Sequence, residues 1–254
     1  MPRFYVDPSR IGNNEIILDG GEYNHIKNVL RKQVGDTLLI CDGEGKEYDC
    51  SVSEFGNGVV CLRICEIREG NTELPITVTL FQGLPKKDKM ELIIEKSVEL
   101  GAASVIPVAC SRSVAKLEDE KREEKKLIRW NSIAEAAAKQ CGRGMIPEVK
   151  GLLSFSKAMK FAKDNYDYIL FPYENADGMK YTEEVVRSIP AGAGIAVFIG
   201  PEGGFAPEEV AFARECNAKI ISLGRRILRT ETAGLTVLSY LMLTAEIQFA
   251  EENV

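Results

Sequence analysis

Apolar and polar positions alternate with short periods through the first seventy residues. Ile16 to Leu18, Thr37 to Cys41, Lys46 to Ser53 and Val59 to Ile67 are rich in β-branched or alternating apolar residues, and glycine turns such as "DGEGK" and "FGNG" separate them. That spacing predicts short strands. One short helix, "GEYNHIKNVLR", interrupts them. The pattern predicts a small β-barrel over residues 1–72, and the polar stretch "REGNTELP", Arg68 to Pro75, reads as a linker.

After Pro75 the rhythm changes to strands alternating with helices. A strand is expected over Ile76 to Gln82, a helix from about Lys89 to Leu100 and a strand near Ser104 to Ala109. From about Glu120 to Gln140 a long helix is expected, with Leu127, Trp130, Ala134, Ala137 and Cys141 on one face. Tyr168 to Phe171, Ile195 to Ile199 and Lys219 to Leu223 read as buried strands, Pro207 to Cys216 as a helix, and a last helix begins near Thr232. Such alternation predicts an α/β domain with a mainly parallel sheet over residues 73–254. In the last helix Leu235, Leu238, Met242, Ala245 and Phe249 share a face, and Val237, Leu241 and Leu243 widen the apolar surface. A helix apolar on so many sides must be covered on more than one, within its own domain or in a dimer.

Composition narrows the classes. With 254 residues, 45% of them hydrophobic, the chain has room for one large domain or for a medium and a small one. Apolar runs long enough to suggest a membrane span are broken by charge or glycine, and "MPRFYVDPSR" lacks the apolar core of a signal peptide, so a cytoplasmic location is expected. Seven cysteines occur without a C-x-x-C pair and His25 is the only histidine, which speaks for reduced thiols and against a metal site. The net charge of −6 argues against a nucleic-acid partner until its distribution is considered. Bases gather at Arg31 with Lys32, at Lys86, Lys87 and Lys89, at Lys139 with Arg143, and at Arg225, Arg226 and Arg229, while acids gather in "EDEKREE". Such patches can meet a phosphate backbone, although solvated faces carry similar clusters.

Two glycine-bearing strand ends carry the candidate chemistry. "FIGPEGGF", Phe198 to Phe205, and "SLGRRILRTETAG" lie about twenty residues apart with a helix between them, and "ILFPYE" is a third strand end. In open α/β sheets ligands collect at the carboxyl ends of strands, so these turns should face one crevice. Neither matches a P-loop, and Gly200, Gly203 and Gly204 miss the dinucleotide spacing. Glu202, in the middle of the first turn, makes a ligand with positive charge a better guess than a phosphate.

"FIGPEGGF", "LGRRILRTETAGL", "KKDKMELIIEKSVELG", "EAAAKQCGRGMIP", "RFYV" and "HIKNVLR" together resemble, in order and over nearly the whole chain, the RsmE family, the 16S ribosomal RNA uridine-N3 methyltransferases of the SPOUT superfamily. The resemblance implies an N-terminal PUA-like β-barrel and a C-terminal SPOUT domain tied in a trefoil knot, S-adenosylmethionine as methyl donor, a homodimer, and 16S rRNA in the assembled small ribosomal subunit as substrate. With the composition above, no metal and no membrane partner are expected. By position, the donor-site candidates are Phe171, Pro172, Gly200, Glu202, Gly203, Leu223, Gly224, Ile227, Leu228, Arg229 and Thr232. Glu202 either touches the donor or caps the following helix. Deprotonating uracil N3 at neutral pH costs about 3 kcal/mol, within reach of one preorganised donor aimed at a uracil oxygen, worth on the order of 3 to 4 kcal/mol. An arginine would then suffice, and Arg229, Arg143, Arg31 and Arg3 are the candidates. For Arg225 and Arg226 phosphate contact or solvent exposure is expected, for His25 packing or RNA contact, and for Tyr5 and Tyr173 base stacking or core packing. The rival readings are a SPOUT enzyme acting on a ribose 2′-hydroxyl or guanine N1, and a noncatalytic RNA-binding protein.

Overall fold

The computed structural model describes residues 3–86, 89–113, 120–174 and 178–249, so Lys87 of the basic groups lies outside the described residues. The chain divides into two compact units, one running up to Glu73 and taking in Ala138–Ile146, the other made of Leu74–Ala137 and the chain from Pro147 on.

In the N-terminal unit, β1 (Arg3–Tyr5), β2 (Glu15–Asp19), a short helix α1 (Gly20–Asn24) running into a π-helical turn His25–Val29, β3 (Thr37–Cys41), β4 (Lys46–Gly56) and β5 (Val59–Glu69) follow one another. The strands form one sheet in the order β1-β3-β4-β5-β2, antiparallel except for the β1–β3 pair. Strand alternation sets the core: Ile16 and Leu18 are fully buried while Ile17 between them is 46% exposed. Register shifts at Asp49/Cys50 and Val52/Glu54 curl the long β4–β5 ribbon around Ile16, Leu38, Ile40, Val60 and Leu62. Because β1 and β2 are not paired with each other, the expected barrel is a curled half-barrel.

The stretch expected as a linker is structured, and the reason lies seventy residues away. Arg143 is 5% exposed, and its guanidinium grips the Glu73 carboxylate through Nε at 3.2 Å and also through Nη2. Gly144 N–H donates to Thr72 Oγ1 at 2.8 Å, and Ile146 N–H to the Gly43 carbonyl at 3.0 Å. The Tyr5 hydroxyl faces the carbonyls of Ala138 and Arg143, and burial pushes its pKa up from the ordinary phenol value. Arg3 pairs with the buried Glu47 at 2.9 Å and donates to the Gly142 carbonyl.

The larger unit holds β6 (Thr77–Gly83), α2 (Lys89–Glu99), β7 (Ser104–Ala109), most of α3 (Glu120–Cys141), β8 (Glu148–Val149), β9 (Leu153–Ser154), α4 (Phe155–Asn165), β10 (Tyr168–Pro172), α5 (Met179–Arg187), β11 (Gly194–Ile199), α6 (Pro207–Glu215), β12 (Lys219–Ile221) and α7 (Thr230–Phe249). Its sheet is parallel throughout, in the order β12-β10-β11-β6-β7-β8, with β9 also on β7. On one face Phe81 stacks on Phe198 with centroids 4.4 Å apart, and Phe171 packs on Phe205 at 4.2 Å. Phe205 thus fixes the exit of the first glycine turn in the core. On α7, Gly234, Val237, Leu238, Leu241 and Ala245 are buried, while Leu243 and Ile247 are 52% and 76% exposed. All seven cysteines are free thiols, and burial pushes Cys41 up to about 11 and Cys50 up to about 12. No helix among the described residues is long and apolar enough to cross a membrane.

The Arg143–Glu73 pair closes the N-terminal unit, so Arg143→Ala is expected to cost on the order of 2 to 3 kcal/mol in urea unfolding. Arg143→Lys should restore little of it, because an ammonium cannot reproduce the two-pronged grip. Wild-type midpoints for both variants would make the pair incidental.

Candidate functional site

Strand order diverges between β6 and β11, and their carboxyl ends lie side by side, with Gln82 opposite Ile199. A crevice forms where helices leave such neighbours in different directions. Here it is a cavity of about 440 Å³, inside the range of roughly 300–1,000 Å³ usual for ligand pockets. One wall is the turn Gly200 to Phe205, the opposite wall the loop Leu223 to Arg229, and Pro172 and Tyr173 at the end of β10 complete it.

The first turn is pinned from three directions. At its start, the Gly200 carbonyl accepts from the Thr230 hydroxyl at 2.6 Å. In its middle, the Glu202 carboxylate accepts from Lys86 N–H at 3.0 Å and pairs with Lys89 Nζ at 3.3 Å, while Lys89 also reaches Glu231 at 3.1 Å. Beside it, Arg112 Nη1 donates to the Gly203 carbonyl at 3.1 Å. Within the turn, Gly204 N–H bonds the Pro201 carbonyl at 2.8 Å and Gly204 takes φ +66°, a conformation that favours glycine.

These bonds bear on the two roles left open for Glu202. Helix α6 is capped by Glu209, whose carboxylate accepts from Ala206 N–H and from Ser111 N–H, both at 2.8 Å. Glu202 does not cap α6; it clasps the start of α2 and lines the cavity. Burial alone would raise its carboxyl, but the N–H groups of Lys86 and of Glu202 itself, with the Lys89 ammonium, outweigh burial and hold it below the ordinary value. Glu231 is lowered too: burial opposes its own N–H, Lys89 and Arg229, and is outweighed. Both ion pairs are therefore complete above the ordinary carboxylate range and are lost as pH falls through the lowered values.

Of the donor-site candidates, Pro172, Gly200, Glu202, Gly203, Leu223, Gly224, Ile227, Leu228 and Arg229 line the cavity. Phe171 is fully buried in the aromatic core, and Thr232 is exposed on the first turn of α7, one residue before the lining Ala233. Among the four arginines, Arg229 lines the cavity; it forms no ion pair among the described residues. Arg3 and Arg143 belong to the N-terminal unit and are engaged by Glu47 and Glu73, while Arg31, in the same unit, is exposed at φ 52°. Arg225 and Arg226 are exposed, and Arg226 lines the cavity. His25 is exposed and packs edge-on against Phe4, with centroids 5.4 Å apart.

Four residues that the sequence reading did not assign to the site hold it: Gln82, Gly83, Lys89 and Arg112. Arg112 follows β7, a strand end that the carboxyl-end rule could have included. It also changes what Gly203 is for, since a Cβ there would meet Arg112 Cβ at 3.1 Å before any ligand. At Gly83 a Cβ would fall 2.6 Å from Pro201 N and 2.7 Å from its ring.

Comparison with known proteins identifies the family. Residues 72–242 match the model of the RNA methyltransferase domain, and residues 18–65 that of the RNA methyltransferase PUA domain. Ribosomal RNA small subunit methyltransferase E of Bacillus subtilis is 36% identical, over 97% of this chain and 98% of that one. The chain belongs to this methyltransferase E family. The Mycobacterium bovis member is 34% identical, over 92% of this chain and 88% of its own. The structure of the Neisseria gonorrhoeae enzyme bound to S-adenosyl methionine superposes with a TM-score of 0.77 at 29% identity, covering 96% of this chain and 97% of that one.

Gly83→Ala is expected to push the Gly200–Pro201 peptide away from β6 and to cost about 1 to 3 kcal/mol through overpacking, read as a drop in melting temperature. An unchanged melting temperature would mean that the turn tolerates a displacement the contacts forbid.

Proposed function

We propose that the protein methylates N3 of a uridine in small-subunit (16S) ribosomal RNA, with S-adenosylmethionine as donor. The observation that carries this reading is the convergence of two glycine-bearing loops and Arg229 on one cavity at the sheet's switch point. The walls fit such a donor: Ile199, Leu223 and Leu228 offer apolar surface to a nucleoside, and the glycine backbone offers polar contacts. Lys89, the lysine lining the cavity among the described residues, is taken by two carboxylates and so does not stand as a P-loop-like ammonium for phosphates. When bound, the donor supplies an activated methyl group with a neutral thioether as leaving group.

The chain's own task is to make the acceptor reactive. The N3 proton passes to water, and the guanidinium of Arg229 hydrogen-bonds a uracil oxygen as negative charge spreads onto it. Arg229 suits this role because its backbone is fixed, its carbonyl accepting from Ala233 N–H at 2.8 Å, while its side chain is exposed at the cavity.

The N-terminal unit, residues 1–72 in the sequence division, is assigned the positioning of RNA, in keeping with its match to a PUA domain. A homodimer built on α7 would cover the exposed Leu243 and Ile247. A trefoil knot over residues 73–254 accords with the path of the chain, which leaves the sheet at edge strand β12 and returns through Leu223–Arg229 to Thr230 beside Gly200 at its centre. The assembled small subunit in the cytoplasm is the proposed substrate and place.

Small-subunit RNA treated with the protein and donor, then digested to nucleosides for mass spectrometry, should yield 3-methyluridine. A 2′-O-methylated nucleoside or 1-methylguanosine would overturn the assignment. Arg229→Ala should lower the methyl-transfer rate on the order of a hundredfold with little loss of RNA affinity, and raising the pH should restore part of the rate by supplying the uracil anion. Loss confined to affinity, with an unaltered pH profile, would assign Arg229 to phosphate binding instead.

A further inference from the structure

We infer that Gln82 and Thr230 form a buried positioning strut that aims the Gly200 carbonyl and so preforms one wall of the cavity; the inference rests on reading that cavity as the methyl-donor site. Gln82, near the end of β6, is fully buried and is not among the residues lining the cavity. Its amide Nε2 donates to the Gly83 carbonyl at 3.0 Å and to Thr230 Oγ1 at 2.8 Å, which uses both amide protons. Thr230, the first residue of α7, is 5% exposed. Because its oxygen accepts from Gln82, its single proton is directed to the Gly200 carbonyl, 2.6 Å away.

The chain of bonds therefore has one direction, from the Gln82 amide through the Thr230 hydroxyl to Gly200. Turning the amide over would set its oxygen against the Gly83 carbonyl. In the orientation found, Gln82 Oε1 is buried without a hydrogen-bond partner among the described residues, next to Gly234, where an added Cβ would lie 3.6 Å from it. The fold thus accepts an unsatisfied oxygen in order to keep both N–H groups on the strut.

The far end explains why that matters. Residue 201 is proline, so the peptide after Gly200 has no N–H and its carbonyl alone is open to hydrogen bonding. The Thr230 hydroxyl sets the plane of that peptide. Thr230 also follows directly on the Leu223 to Arg229 loop, so one hydroxyl joins the two walls. Preformed walls spare a ligand the cost of ordering them.

The test is calorimetry of S-adenosylhomocysteine binding to full-length wild type, Thr230→Val, Thr230→Ser, Gln82→Leu and the Gln82→Leu/Thr230→Val double variant, with thermal melts confirming folded protein. Thr230→Val should bind about tenfold more weakly, the loss of roughly one hydrogen bond. Thr230→Ser, which keeps the hydroxyl, should stay within about twofold of wild type. Gln82→Leu should also weaken binding, which reports the strut because Gln82 does not line the cavity. The double variant should bind no more weakly than Thr230→Val, since the second change breaks a chain already broken. Wild-type affinity in Thr230→Val, failure of serine to rescue, or losses that multiply would overturn the strut. If Thr230→Val does not fold, Gln82→Leu decides, with wild-type affinity as the overturning result. A wild type that fails to bind the probe would overturn the donor-site reading itself, an outcome distinct from those that overturn the strut alone.

Discussion

The cavity exists because two strand ends approach more closely than any side chain would allow. β6 ends in Gly83 directly against the Gly200–Pro201 peptide, with no room for a Cβ between them. That approach brings the first glycine turn within reach of Thr230, Lys89 and Arg112, which arrive from three different elements. Each of these pins has one partner outside the turn. The geometry of the turn is thus dictated by the surrounding sheet and helices, which is how a loop can be as definite as a strand.

Charge at the site is arranged in the same spirit. Glu202, which in the sequence looks like an anionic partner for a cationic ligand, is held by Lys89 and the Lys86 N–H, and Lys89 also holds Glu231. Glu209 performs the capping that Glu202 was a candidate for, and through Ser111 it anchors the turn that carries Arg112. The exposed guanidiniums of Arg112, Arg226 and Arg229 are what the cavity presents toward a polyanionic substrate.

Hydrophobic period made the strand–helix alternation, the parallel sheet and the convergence of the glycine turns legible. Helix α4 escaped because its buried face relies on Ala158 and Ala162, whose apolar contrast is weak beside Phe155 and Met159. In α5 the buried face includes Thr182, and β8 and β9 are two residues each, too short to show a period. At the site, loop residues could be named from strand-end glycines, whereas their partners lie far along the chain: Arg112 is 91 residues from Gly203, and Gln82 is 148 from Thr230. Arg143 shows the converse. Beside Lys139 it looks like part of a basic patch, and only the fold reveals that Glu73 engages its guanidinium.

The inclusion of Ala138–Ile146 in the N-terminal unit has a consequence for biosynthesis. Glu73 and Arg143 are 70 residues apart, so during translation the half-barrel strands emerge well before the segment that completes their unit. The unit begun first is completed only after Leu74–Ala137 of the second has been made. Contacts of such sequence separation slow folding because the intervening chain must close as a loop before they form. The nascent half-barrel must therefore stay unfinished, with the Tyr5 ring and the Glu73 carboxylate still in water, until more than half of the polypeptide has left the ribosome.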